Sequence, residues 1–262
     1  MSKVKPLLPG PVAAARRVLA ECDVRHPRDI RVEAMAARYG AMMVYGPVAT
    51  ARGSIVRTAK RAVIWVDEKA KGQPRGDFTG AHEFAHHLLH DVVDHFAQCR
   101  GGERASRDED ERARAVEREA DCFSAELLMP ETWAAPLCDV ASPTLDDVYR
   151  LTRTFPTSFH ASAIRFIELT RAPCAFVHTV RGKIKRSVET EAFPGRIVQR
   201  RAVHAATLAA DLQDVRAGAD GYAEPREVPG AAWGDERHGR AFVEQTIALG
   251  PEIGVMSWVV AV

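Results

Sequence analysis

The chain has 262 residues, enough to bury one large core or two, and its 46% apolar and 27% charged residues are those of an ordinary globular protein. A formal net charge of +1 gives no global attraction to nucleic acid or an anionic membrane, and no window reaches the roughly 18 consecutive apolar residues of a membrane-spanning helix. The five cysteines (Cys22, Cys99, Cys122, Cys138, Cys174) lack C-x-x-C spacing, which excludes a thiolate metal site or disulfide framework and suits a reducing cytoplasm.

Residues 1–10 read as a flexible tail, and Arg16 and Arg17 break the apolar run that a signal peptide would need. A first helix is expected over 11–22, with Val12, Ala15, Val18 and Leu19 along one side. A second is expected over 29–39, capped by Asp29 and stopped by Gly40. The spacing of the two does not make a helix-turn-helix. Three short apolar runs follow, at 41–45, 53–57 and 62–66, the last two flanking the turn-like segment 58–61. They predict a small antiparallel sheet. A polar loop over 69–77 then leads into the next helix. A strand so placed either lies along a cleft, where an extended peptide could pair with its edge, or belongs to the core.

That next helix, 80–90, contains His82-Glu83-Phe84-Ala85-His86, the H-E-x-x-H pattern. At about 100° per residue His82, Glu83, His86, His87 and His90 share one arc, and Ala81, Phe84, Ala85, Leu88, Leu89 and Val92 fill the other. Two imidazoles one turn apart can share a cation, with Glu83 beside them to hold a water. The third histidine of a metzincin would fall at Val92, so that geometry is excluded. His87 and His90 read as solvated or hydrogen-bonded, His90 being better placed to support a ligand from behind. Residues 99–114 read as an exposed, doubly charged loop entering a helix.

The helix over 116–130 buries Val116, Ala120, Phe123 and Leu127 and is stopped by Pro130. Glu117 and Asp121 lie on one flank and Glu119 on the other. Histidines on zinc usually donate their second N–H to a carboxylate or carbonyl. Glu117 with Asp121 supplies ligand and acceptor together, so Glu117 is preferred and Glu119 is assigned to a solvated rim.

Beyond a linker at 136–143, a helix capped by Thr144 carries Asp146 and Asp147 in its first turn. A helix over 159–170 turns Ala163, Phe166, Ile167 and His160 inward. Strands at 174–180 and 183–189 meet at Arg181-Gly182, a helix is expected over 201–217, and a terminal hairpin turns at Gly250-Pro251. His178, Trp233 and Trp258 read as packing or surface residues. The layout is α+β: a domain over 11–135, a helical linker region over 136–172 and a smaller α/β module over 173–262.

HEFAHHLLH followed by EREADCFSAELLMP resembles the ImmA/IrrE family of zinc peptidases. Glu117, Ala120, Asp121, Phe123, Leu127, Leu128, Met129 and Pro130 match its second motif position by position, with Ser124 where alanine is common. The segments GSIV, AVIWVD and DFTGAHE also fit, so the likeness spans about residues 12–170. It implies a zincin-like metallopeptidase domain, Zn²⁺ held by His82, His86 and Glu117, and Glu83 as catalytic base. It further implies a cytoplasmic endopeptidase that cleaves a helix-turn-helix repressor to release stress-response or mobile-element genes. No membrane or direct nucleic-acid partner is expected, and the C-terminal module is assigned a sensory or substrate-positioning role. Two other readings stand beside this one: a regulator of the same fold that binds a repressor or antitoxin-like partner without cutting it, and a zinc-stabilised structural module. The intact Glu83 argues against both.

Overall fold

Short apolar stretches broken by proline and glycine set the first half of the chain, and longer β-branched runs set the second. A computed structural model describes residues 3, 7–47, 53–57, 61–90, 107–215, 222–234, 240–250 and 252–262. The chain divides into two compact units, one of residues 7–133 and 152–161, the other of 1–6, 134–151 and 162–262.

In the first unit, helix α1 (Pro9–Glu21) starts on prolines and buries Pro11, Ala14, Ala15, Val18 and Leu19. Helix α2 (Val32–Arg38) begins later than expected. Pro27 sets a 3-10 turn over Pro27–Asp29, so Asp29 lies in that turn and Arg31 occupies the cap position. Gly40 ends the helix with φ 79°, in the left-handed region where only glycine is unstrained.

Strands β1 (Ala41–Gly46), β2 (Gly53–Arg57) and β3 (Ala62–Asp67) form a sheet in the order β1-β3-β2. The expected three-stranded sheet is there, but it is mixed and not wholly antiparallel. The β2–β3 hairpin is antiparallel, whereas β1 runs parallel to β3, with Ala41 opposite Ala62. The hairpin places β2 on the far edge and leaves β1 beside β3 in the same direction. A hydrophobic pattern of period two carries no such direction. Met43, Ile55, Ile64 and Val66 are buried, and Met42, Val56 and Trp65 face outward. Thr58, Ala59 and Lys60 of the connecting turn lie outside the described residues.

Helix α3 (Pro74–Leu89) claims part of the segment expected to be loop, because Pro74 sits in its first turn. Gly80 is needed on its buried side: a Cβ there would run into the Met43 side chain. Helix α4 (Arg107–Leu128) packs along α3, with Phe123 meeting Phe84 edge-on at a centroid distance of 5.7 Å. Ala120, Phe123 and Leu127 are fully buried, as their spacing requires, whereas Val116 is only half-buried. Val92, Cys99 and the charged loop up to residue 106 lie outside the described residues.

Helix α5 (Glu131–Cys138) contains Pro136, so the expected linker begins inside a helix. Helix α6 (Leu145–Thr154) opens with Thr144 donating its N–H and Oγ1 to Asp147 at 2.9 and 3.0 Å, half of a capping box. Helix α7 (Phe159–Leu169) is capped by Ser158, whose Oγ accepts from the Ala161 N–H. Ala163, Phe166 and Ile167 are buried, and His160 is half-buried.

The second unit holds an antiparallel sheet of β4 (Cys174–Val180), β5 (Lys183–Glu189), β6 (Tyr222–Pro229), β7 (Ala241–Ala248) and β8 (Val255–Ala261), in the order β5-β4-β8-β7-β6. Arg181 at φ 51° and Gly182 at φ 68° make the primed two-residue turn of the β4–β5 hairpin. The expected terminal hairpin is present, and its last strand lies centrally between β4 and β7. The helix expected over 201–217 shrinks to α8 (Leu208–Asp211). Arg200 takes φ 68°, and the segment after it pairs with β5 instead, Ile184 N–H donating to the Arg201 carbonyl at 2.9 Å. Residues 216–217 of that expected helix lie outside the described residues. Trp233 and Trp258 are buried packing residues. Among the described residues no helix is long and apolar enough to cross a membrane.

Candidate functional site

The face of α3 opposite Phe84 meets the flank of α4 that carries Glu117 and Asp121, and three ligand atoms converge there. His82 Nε2 lies 3.1 Å from His86 Nε2 and 3.2 Å from Glu117 Oε2, and His86 Nε2 lies 3.5 Å from Glu117 Oε1. Among the described residues these three side chains form a group that could hold a metal ion. A tetrahedral zinc site with bonds of about 2.0–2.1 Å has ligand atoms about 3.3 Å apart. The two Nε2 atoms stand 3.1 Å apart and each has one Glu117 oxygen at 3.2 or 3.5 Å, distances of that size, so the residues fit the ion.

The surrounding charges also favour a cation. Burial opposes the His82 imidazolium, but hydrogen bonds and charge from Asp121 and Glu117 outweigh it and push its pKa up to about 10. Asp121 Oδ1 lies 3.1 Å from His82 Nδ1, which leaves Nε2 to face the centre. Glu83 sits on the next position of the helix and is buried. Burial lifts its carboxyl to about 7; the positive His82 opposes this and the negative Glu117 adds to it. Its Oε2 is buried without a hydrogen-bond partner, a polar atom held ready for something the protein alone does not supply.

All five residues singled out from the sequence, His82, Glu83, His86, Glu117 and Asp121, therefore come to one place. Glu119, expected on a solvated rim, is partly exposed and also engages a histidine. Its Oε2 lies 3.1 Å from His90 Nε2, and His90 Nδ1 lies 2.9 Å from His86 Nδ1. Were His86 Nε2 to hold a metal, its remaining proton would sit on Nδ1 and be donated to His90 Nδ1, and His90 would carry its own proton on Nε2 and donate it to Glu119. Each histidine of the pair thus has a carboxylate behind it, directly for His82 and through His90 for His86. His87 lies off this chain, bonded to the Tyr39 carbonyl at 3.0 Å.

Two further residues escaped sequence reasoning. Arg57 at the end of β2 donates to the carbonyls of His86 and His90 at 2.9 and 2.6 Å, closing the C-terminal end of α3. Gly53 at the start of β2 lies where a Cβ would strike Thr79 and crowd the Glu83 Cγ. Edge strand β2 therefore runs along the site.

A family model described as the IrrE N-terminal-like domain, of a peptidase family, matches residues 33–166. Among solved structures the chain resembles a Mycobacterium tuberculosis transcriptional regulator, with a TM-score of 0.61 at 19% identity over 98% of this chain and 89% of that one. At that identity the likeness is one of fold. No curated protein matches the chain.

Proposed function

Because the chain belongs to the IrrE N-terminal-like peptidase family, we propose that it is a zinc-dependent endopeptidase whose substrate is a helix-turn-helix transcriptional repressor. The observation that carries the reaction type is the convergence of His82 Nε2, His86 Nε2 and the Glu117 carboxylate, with contacts of 3.1–3.5 Å, and the buried, unpaired Glu83 oxygen beside it. His82, His86 and Glu117 would hold the ion, and Asp121 would fix the His82 tautomer. Bound zinc would supply a positive charge that polarises a peptide carbonyl and acidifies a water at the open position.

Glu83 accepts the proton of the attacking water, then returns it to the departing amine. A carboxyl lifted by burial toward neutral pH suits both halves of that task. Among the described residues β2 is an edge strand, and that edge would offer backbone partners to an extended segment whose carbonyl would lie beside Glu83. The repressor as target rests on the family and on the regulator-like neighbour, and the cytoplasm is the compartment that target implies.

The test is cleavage of a co-encoded helix-turn-helix protein by zinc-loaded chain and by Glu83→Ala. The variant should retain zinc and lose at least about a hundredfold in cleavage rate. Wild-type cleavage by Glu83→Ala would overturn the mechanism with Glu83 as base. No cleavage by the zinc-loaded wild-type chain, with the repressor still bound, would leave a docking regulator.

A further inference from the structure

The second unit carries a site that the peptidase reading does not use. Beside the start of β5 lies a cavity of about 330 Å³, at the small end of the range for small-molecule pockets. Its apolar lining includes Ile184, Ile197 and Trp233, and its polar lining is Arg196, Arg201 and His204. Among the described residues lining it, none is acidic. Two arginines and a histidine around an apolar floor are the complement of an anion with an apolar body.

The walls are held in place by the backbone and by one buried carboxylate. Gly234, at φ 93°, packs so closely that a Cβ would run into the Arg196 backbone, and its carbonyl accepts from Arg196 N–H at 3.4 Å. Arg200, in the left-handed region at φ 68°, turns the chain so that Arg201 pairs with Ile184. A non-glycine residue held there is a strained position of the kind found at binding sites. His204 Nδ1 accepts from Ala206 N–H at 3.1 Å, which leaves its proton on Nε2 as a donor. Beneath, Glu244 takes the Trp233 indole N–H at 3.2 Å and the Leu208 and Ala209 N–H groups at 3.0 Å each. One fully buried carboxylate thus anchors both the floor and the helical turn that follows His204.

We propose that this pocket binds a small organic anion, with a carboxylate or sulfonate head among Arg196, Arg201 and His204 and a short apolar body against Ile184, Ile197 and Trp233. Both arginines are exposed at the rim, so the attraction weakens with added salt.

The test uses the full chain and 1-anilinonaphthalene-8-sulfonate as a fluorescent probe, with sodium octanoate and 1-octanol as competitors. Saturable enhancement at one site per chain is expected, displaced by octanoate and much less by octanol. Arg196→Glu with Arg201→Glu should weaken binding at least ~10-fold. Val198→Trp, which fills the cavity from its exposed lip, should abolish it. Absence of saturable binding overturns the proposal. So does equal displacement by octanol, or wild-type binding in the double arginine variant, where the dye sits elsewhere. Both arginines lie on the surface, so that variant decides the matter even if Val198→Trp fails to fold.

Discussion

His86 meets Glu119 through His90, and under the proposed function this would make His90 and Glu119 positioning residues for the ion. Replacing either His90 or Glu119 with Gln should lower zinc affinity by about 10–100-fold in a chelator competition, while the melting temperature of the zinc-free protein changes little. An unchanged affinity would show the contact to be ornamental. His82 gives a second expectation with a definite sign. Its folded pKa of about 10 lies above the ordinary histidine value of 6.5, so in the ion-free protein its pairing stabilises the fold fully below about pH 6.5. That contribution is lost as pH rises through 10. Zinc needs the deprotonated ring, so its apparent affinity should rise over the same window, and loading at pH 7 should release protons. Calorimetry in two buffers of different ionisation enthalpy measures that release. The pairing of His82, His86, Glu117 and Asp121 was legible because each pair lies on one helix at a spacing of four. The Glu119–His90 contact was not, because a wheel drawn for one helix cannot see its neighbour.

At the scale of elements, the buried Glu244 of β7 is a larger commitment than any surface pair. It is fully buried and accepts five hydrogen bonds, from Leu208, Ala209, Trp233, Thr246 and Ser257. Burial pushes its carboxyl upward, and the donors pull it back. Glu244→Gln would turn an amide NH₂ toward groups that are themselves donors. A loss of about 2–4 kcal/mol is expected in urea unfolding of the second unit. Nothing in the segment AFVEQTIAL signalled this, since a polar residue in a strand usually faces water. The helix expected over 201–217 failed for a related reason. Its periodicity is real, but Arg200 turns left-handed and the segment after it finds backbone partners on β5, which one turn of helix would not offer. The parallel pairing of β1 with β3 was likewise invisible, because alternation marks a face and not a direction.

For the molecule as a whole, the two units differ in how far their order in sequence follows their order in space. The sheet of the second unit depends on its last strand, since β8 separates β4 from β7 and pairs with both. Removing residues 255–262, Trp258 among them, should therefore dissolve the sheet, seen as loss of the near-ultraviolet dichroism of the buried Trp233 that remains. A truncated chain with that signal intact would contradict the strand order. The α+β class and the terminal hairpin could be read from sequence because each rests on contiguous pattern. Strand order in the large sheet could not, because it is fixed by pairings between distant segments.

Arg57 has one more consequence. It is the last residue of the edge strand and the group that holds the two carbonyls at the end of the histidine helix. A peptide laid against β2 would bear on the strand whose last side chain holds the His86 and His90 carbonyls, so occupancy of that edge would be felt at the end of the helix that carries the histidines.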